Sequence, residues 1–503
     1  MPARAIRWLL PTVSDVLFLC FFLGMLITVE GPARFLLSED TGWHLVAGDW
    51  MLKNRRMPAR DPFSYSSAGA PWVAYEYLSE LVMAGSERVG GLTGVVALAS
   101  LVIAATLAGL YRILRRQGIS LPIALIATLV AVIPLSVHWL ARPHLASMLF
   151  LVLFLDRFDR YARGEPVRLW SLPLWMALWV QFHGGFLLGL ILWGAHLAGL
   201  LLERKHFGGG APPARPLLLV GFAMAGTAVL HPDGYRLPGY IVRYLSFRWI
   251  FDHNREFASA NFHQPQILVF GAWLVLLVLM AVLGRYRPRP REIVPPLAFA
   301  ALALYSARHI PYAVLVGAPL LARMLEASAP SWRWWGRLRR AGEMEARLMG
   351  GCWSVAGVMG VFLLLATGAW GRLGLPGFGF HRSYFPVNAS GFVERSALPD
   401  RMFNPDDWGG YLLYRLYPRY HVFIDGRQDM YGESFAREYW EVARAGKRWS
   451  EVLVRYGVEW VIWPADEALS SVLQASPEWR LVFQDETACI FEKKKNATGG
   501  DGH

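Results

Sequence analysis

Apolar residues fall along this chain in long blocks separated by short polar connectors. A block of about 20 apolar residues suits the hydrocarbon core of a bilayer. Such blocks cover 14–33, 93–111, 121–138, 144–158, 169–183, 184–202, 216–231, 266–283, 293–307, 310–325 and 350–370. The pattern predicts an α-helical polytopic membrane protein with about eleven transmembrane helices. The pairs around His183 and Arg308 are short enough to form hairpins or re-entrant segments. Residues 34–92 make the longest break in the first half. There "DTGWHLVAGDWMLKN" places Trp43, Leu45, Val46, Trp50 and Leu52 at helix-compatible spacing, which predicts an amphipathic helix in the membrane interface. A Pro/Gly/Ser-rich loop follows, then a second helix in "AYEYLSELVMAGSERV".

From about residue 371 the pattern changes to mixed polar and aromatic sequence with turn residues. "HVFID" (421–425), "GVEWVIWP" (457–464) and "WRLVFQDETACIFEK" (479–493) read as strands. "GESFAREYWEVARAG" and "WSEVLVRY" read as helices. The division is therefore a transmembrane domain over 1–370, with the first outer loop at 34–92, and a small extracytoplasmic α/β domain over 371–503. The closing "KKKNATGGDGH" reads as a disordered end.

Composition agrees with the block pattern. Of 503 residues 54% are hydrophobic and 17% charged, too little charge for an ordinary soluble domain. The net charge of +12 would suggest nucleic acid if it formed one patch. Instead the arginines cluster in alternate connectors, "YRILRRQG", "DRFDRYARGEPVR", "ERKHFGGGAPPARP", "GRYRPRPRE" and "SWRWWGRLRRAGEMEARL", which with Arg4 and Arg7 mark one cytoplasmic side. An odd number of spans from a cytoplasmic N-terminus leaves the tail extracytoplasmic. Three scattered cysteines exclude a disulfide framework or a zinc site. The first apolar run is long enough to stay as a span and is not read as a cleavable signal.

The opposite side receives "SEDTGWHL", "HWLARPH", "QFHGG", "HPDGY" and "ARHIP". His138, Arg142, His144, His183, His231, Arg308 and His309 thus fall at outer ends of spans, which predicts a polar site at one membrane face. Asp40 and Glu39 stand where the first span gives way to the outer loop. Asp40 has an alternative role as the N-cap of the helix behind it, and Glu76 is read as a rim residue.

The first loop reads D-x-x-W-H-L…G…P…D-P-F-S…W…E-x-L, with Asp40, Trp43, His44, Leu45, Gly48, Pro58, Asp61, Pro62, Phe63, Ser64, Trp72, Glu76 and Leu78. An acidic residue at this junction, with an interfacial helix behind it, resembles the GT-C glycosyltransferase superfamily, in a bacterial branch. "ARPHLAS" (141–147), "HGGFLLG" (183–189), "RHIP" (308–311) and "FNPDDWGGYLLYRLYPRYHVFIDGRQDMYG" (403–432) extend the resemblance over most of the chain.

The resemblance implies transfer of a sugar from a polyprenyl-phosphate donor to an extracytoplasmic acceptor, be it protein, lipid or polysaccharide. It implies Asp40 as the base on the acceptor hydroxyl, with Glu39 as runner-up and Trp43, His44 and Glu76 in support. A departing phosphate needs positive charge aimed at its oxygens. Arg142, His144, His183, Arg308 and His309 are the candidates, the arginines first because a guanidinium can grip phosphate through two donors. "DDWGGYLLY" resembles an acceptor-recognition element of oligosaccharyltransferases in a different order. With Asp407 before Trp408 and two glycines after, peptide recognition is not carried over; Asp407 and Trp408, with Asp425 and Arg427 in the turn of "FIDGRQD", are acceptor-side candidates on the outer domain, a salt-bridged turn being the alternative for the last two. A divalent cation, Mg or Mn, is possible on the carboxylates and histidines, but no ligand spacing marks one. Two other readings compete: a non-enzymatic subunit that keeps the scaffold inside a membrane complex, and a transporter of lipid-linked glycan. The transporter reading lacks the interrupted helices and mid-membrane charges it needs.

Overall fold

The computed structural model describes residues 7–28, 34–208, 210–247, 255–329, 333–345 and 348–494. Arg4, the end of the first apolar run and the tail from 495 lie outside them. Contacts divide the chain into two compact units, Met1–Pro32 with Val89–Gly377, and Ala33–Arg88 with Phe378–His503. The first loop is thereby grouped with the tail, where sequence pattern alone had put it with the helical part. The helix Tyr77–Arg116 loses helical geometry at Gly90 and Gly91, one residue past the division; Gly91 has φ +58, a conformation open to glycine.

In the first unit every one of the eleven apolar blocks forms a helix. Among the described residues six helices are long and apolar enough to cross a membrane: Arg7–Ile27, Tyr77–Arg116, Leu121–His138, Gly184–Phe207, Pro265–Leu283 and Ala307–Ala327. Ser171–Phe182, Ala214–Leu230 and Cys352–Ala366 are apolar but shorter. The central element is Ile310–Ala327. It is buried around its whole circumference, as expected of a helix that is apolar on every face. Pro290–Tyr305 packs between it and Leu187–Phe207. Gly199 lets that approach happen: a Cβ there would stand 2.7 Å from the Arg291 Cα. At the arginine-rich ends, Asp159 gathers Gln117 (2.6 Å), Arg163 and Arg323 (3.2 Å), tying three helices together.

The second unit is α/β. Its sheet has the order β1-β2-β4-β3, with β1 Met402–Phe403, β2 Trp460–Pro464, β3 Trp479–Gln484 and β4 Ala488–Lys493. β1 runs parallel to β2, while β4 is antiparallel to both of its neighbours. The stretch 479–493 is thus a hairpin rather than one strand. The segment 421–425 is no strand; Val422 makes a single parallel bridge with Ser64 of the first loop. The two sequence-predicted helices appear as Gln428–Ala443, with a break at Gly432, and Trp449–Arg455.

The first loop is built into this unit's core. Trp43, Phe63 and Trp72 share one apolar cluster with Phe385, Trp408, Tyr411 and Trp460. The helix Thr41–Asn54 therefore does not present one apolar face as an interfacial helix would. Trp43, His44, Leu45, Ala47 and Met51 are all buried. It crosses Asp406–Leu416 backbone to backbone: a Cβ on Gly42 would collide with the Gly410 carbonyl, and one on Gly410 with the Glu39 carbonyl. A Cβ on Gly48 would likewise strike the Glu80 carbonyl in Tyr77–Arg116.

Because the neighbour at Gly42 is backbone and cannot step aside, Gly42→Ala is expected to destabilise by about 1–3 kcal/mol. Gly85→Ala, with nothing within 4 Å of the added carbon, should be neutral or slightly stabilising. Thermal unfolding of the two purified variants against the parent checks both.

Candidate active site

Asp40 immediately precedes the helix Thr41–Asn54 but does not cap it. Its own backbone is helical (φ −88, ψ −23), and its side chain makes no capping hydrogen bond. Asp40 Oδ1 accepts from Trp43 Nε1 at 3.0 Å. The carboxylate lies against Gly426, where any side chain would displace it. The half-buried Glu39 accepts from the Tyr384 hydroxyl at 3.0 Å. Burial and then the charges of Glu39, Asp407 and Asp406 raise the Tyr384 phenol well above its ordinary range, which locates these carboxylates near one another. Burial also raises the Asp406 carboxyl, although Tyr439, Gln428 and the Asp407 amide donate to it. Tyr384 and Asp406 were not singled out from sequence. Asp406 stands beside Asp407 in the same motif, and only the fold distinguishes the hydrogen-bonded carboxylate from the exposed one.

His44 and Glu76 sit deeper than expected. His44 is 2% and Glu76 6% exposed, so Glu76 is not a rim residue. His44 Nδ1 faces Glu80 Oε1 at 3.3 Å, and Nε2 faces Glu76 Oε2 at 3.8 Å. Trp408 is buried and donates its indole N–H to the Tyr384 carbonyl at 2.9 Å. Asp407 remains exposed in the first turn of its helix.

Asp425 and Arg427 form the floor beneath Gly426. Arg427 donates to Asp425 through Nε (2.8 Å) and one terminal nitrogen (2.6 Å), and to Asp61 through the other (2.8 Å). Its guanidinium lies over the rings of Trp72 and Phe63 at 4.7 and 5.1 Å. Burial opposes its charge, but the two aspartates outweigh burial and hold it firmly protonated. Asp61 also accepts from the Phe63 and Ser64 amides and from the Ser64 hydroxyl. These charges are buried and paired with one another within the protein.

In the first unit the outer-end residues come together. His144 Nε2 meets the His138 carbonyl at 2.7 Å, and the His144 and His183 rings are 6.5 Å apart. His183 Nδ1 accepts from the Gly185 amide (2.9 Å) and lies 2.8 Å from Ser147 Oγ, which in turn accepts from Trp179 Nε1. Arg142 is ion-paired with Glu256, and Arg308 lies over the Phe257 ring at 4.4 Å. Burial pushes the Glu256 carboxyl up, yet Arg142 and Arg308 prevail and hold it well below the ordinary range. His309 is the next residue along and packs near Tyr312. His231 pairs instead with Asp233 at 3.5 Å. Glu256 gave no signal in the sequence, since it sits in an unpatterned connector and acquires meaning only from its partners.

Among the described residues no three His, Cys, Asp or Glu side chains are gathered closely enough to hold a metal ion.

No protein-family model matches the chain, and no curated protein matches it in sequence. Solved structures do. ArnT from Cupriavidus metallidurans bound to undecaprenyl phosphate is similar at TM-score 0.55 and 14% identity, over 97% of this chain and 99% of that one. Its apo form gives 0.56 and 14%, over 95% and 97%. The oligosaccharyltransferase AglB from Archaeoglobus fulgidus, in complex with an inhibitory peptide and a dolichol-phosphate, gives 0.55 and 12%, over 90% and 69%. The chain thus has the GT-C fold.

Two predictions follow from the charges. Asp425→Asn leaves the buried Arg427 guanidinium with Asp61 as its one carboxylate partner of the two and is expected to lower stability by about 1–3 kcal/mol, read as a fall in the denaturation midpoint. The depressed Glu256 carboxyl stabilises fully above the ordinary glutamate range. That contribution is lost as pH falls through and below this range, because the unfolded chain takes up the proton first. Melting temperatures from pH 7 to pH 4 should therefore decline, and Glu256→Gln should start lower at pH 7 and lose this part of the decline.

Proposed function

We propose that this chain is an integral membrane glycosyltransferase that moves a sugar from a polyprenyl-phosphate donor to an extracytoplasmic acceptor in one displacement. The observation that carries the reading is the first-unit cluster. Arg142, Arg308 and His138 lie around the Glu256 carboxylate, and His144, His183 and His309 stand close to those arginines, on a fold shared with proteins solved with polyprenyl phosphates. Two guanidinium groups set among histidines suit a phosphate ester.

In the proposed step the acceptor hydroxyl gives its proton to Asp40 while its oxygen bonds to the anomeric carbon. The bond from that carbon to the phosphate oxygen breaks, and the electron pair leaves with the polyprenyl phosphate. Arg142 and Arg308 stabilise the charge on the departing phosphate, with His144, His183 and His309 as further donors. Asp40 is suited to the base role because capping does not use it and Trp43 fixes its direction. Glu39, held by Tyr384, is the second carboxylate. Asp407, exposed on the same unit, faces the acceptor side in this reading. The chain crosses the bacterial inner membrane about eleven times, with its N-terminus cytoplasmic and its second unit outside. The acceptor is a protein, lipid or polysaccharide.

Asp40→Asn should lower transfer by about 10²–10⁴ while undecaprenyl phosphate still binds. Arg142→Gln and Arg308→Gln should each weaken that binding. Membranes carrying each variant, assayed with radiolabelled polyprenyl-phosphate sugars and by native mass spectrometry for carrier binding, read the two effects apart. Transfer unchanged in Asp40→Asn removes Asp40 from the reaction. Carrier binding unchanged in both arginine variants removes the phosphate assignment. The same assay with chelator reads any contribution of Mg or Mn.

A further inference from the structure

A half-open cavity of about 410 Å³ lies within the first unit, between the helices Val13–Ile27, Tyr77–Arg116, His144–Ala162 and Cys352–Ala366. It lies far from the Arg142 cluster. Arg157 on its rim is 13 residues beyond His144 on the same helix, about 20 Å along the axis. The volume is within the usual range for a small-molecule site, roughly 300–1,000 Å³.

Its chemistry is divided. The walls are apolar, with Phe18, Ala105, Ala108, Val152 and Val355. Arg112, Arg116 and Arg157 line it together with Asp156. Asp156 is already shared, by Arg116 at 3.1 Å and Arg157 at 2.5 Å. Arg112 uses Nε on Ser14 Oγ at 2.8 Å, and its two terminal nitrogens make no hydrogen bond among the described residues. Three arginines against Asp156 in the lining, with the Asp15 carboxylate behind Gly351 and Ser354, leave net positive charge at the end of an apolar slot. The slot is fixed in shape: Asp15 accepts from the Gly351 amide (2.9 Å) and the Ser354 hydroxyl (2.6 Å), pinning the first helix to Cys352–Ala366.

We infer that this cavity binds an anionic glycerophospholipid, its phosphate on Arg112 and Arg157 and an acyl chain along the Phe18–Val152–Val355 wall. Basic pockets between membrane helices on the arginine-rich side recognise anionic headgroups in this way. None of these residues has a part in the transfer proposed above, so the two assignments stand or fall separately.

The test is lipid retention by the purified full-length chain in mild detergent, read by native mass spectrometry with phosphatidylglycerol, phosphatidylethanolamine and undecaprenyl phosphate in separate titrations. Phosphatidylglycerol is expected to bind in preference to phosphatidylethanolamine. Arg112→Gln with Arg157→Gln should weaken it about 25-fold, about fivefold for each arginine removed. Ala105→Phe, which fills the slot without touching a charge, should lower its occupancy while the melting temperature in detergent holds. Equal binding of the two phospholipids, or phosphatidylglycerol retained undiminished by both variants, overturns the inference. Undecaprenyl phosphate binding tighter than phosphatidylglycerol and lost in both variants also overturns it, in favour of a second carrier site.

Discussion

The second unit depends on one backbone contact. Helices Thr41–Asn54 and Asp406–Leu416 approach so closely that the Gly42 and Gly410 carbons touch carbonyls with no side chain between them. Residues more than 360 positions apart in the sequence are joined there, and the acidic segment at 39–40 is fixed relative to the 425–427 turn. Gly426 then lets the Asp40 carboxylate rest on that turn, while Arg427, clamped by Asp425 and Asp61 between two aromatic rings, keeps the turn from moving. A buried triad of this kind contributes little net stability over apolar packing, since desolvating three charges offsets their attraction. What it supplies is a single geometry, because any displacement leaves a buried charge without its partner.

The first unit obeys a different rule. Its helix interiors hold few ionisable groups, and charge collects at helix ends. The two kinds of end are chemically unlike. One carries Asp159 ion-paired with Arg163 and Arg323, and Glu326 accepting from Ser120, contacts that tie neighbouring helices. The other carries arginines and histidines, with Glu256 paired to Arg142 and close to Arg308.

Close packing explains several departures from the sequence reading. The spacing of Trp43, Leu45, Val46, Trp50 and Leu52 is that of an interfacial helix only if nothing covers its other face. The tail covers it, so His44 and Glu76 become core residues that face each other and Glu80. The 421–425 run has strand composition, but Asn404 holds it as an irregular segment: its side-chain oxygen takes the Phe423 amide and its side-chain nitrogen the Ile424 carbonyl. Asp425 and Arg427 read as a functional turn because charged residues after a strand commonly are. In the structure both are buried, with Arg427 paired to Asp425 and Asp61.

The sequence by itself determined the helical blocks, the change to an α/β tail, the segregation of arginine from histidine, and the resemblance to the GT-C superfamily. Each of these is a property of neighbours along the chain: hydrophobic block length, turn residues, or a motif read locally. Only the tertiary structure decided that the first loop and the tail form one compact unit, that Asp40 leaves its helix uncapped, and that Glu256 answers Arg142 and Arg308. These depend on which distant residues come within a few ångströms, and neither backbone glycine contacts nor buried ion pairs leave a periodic trace in the sequence.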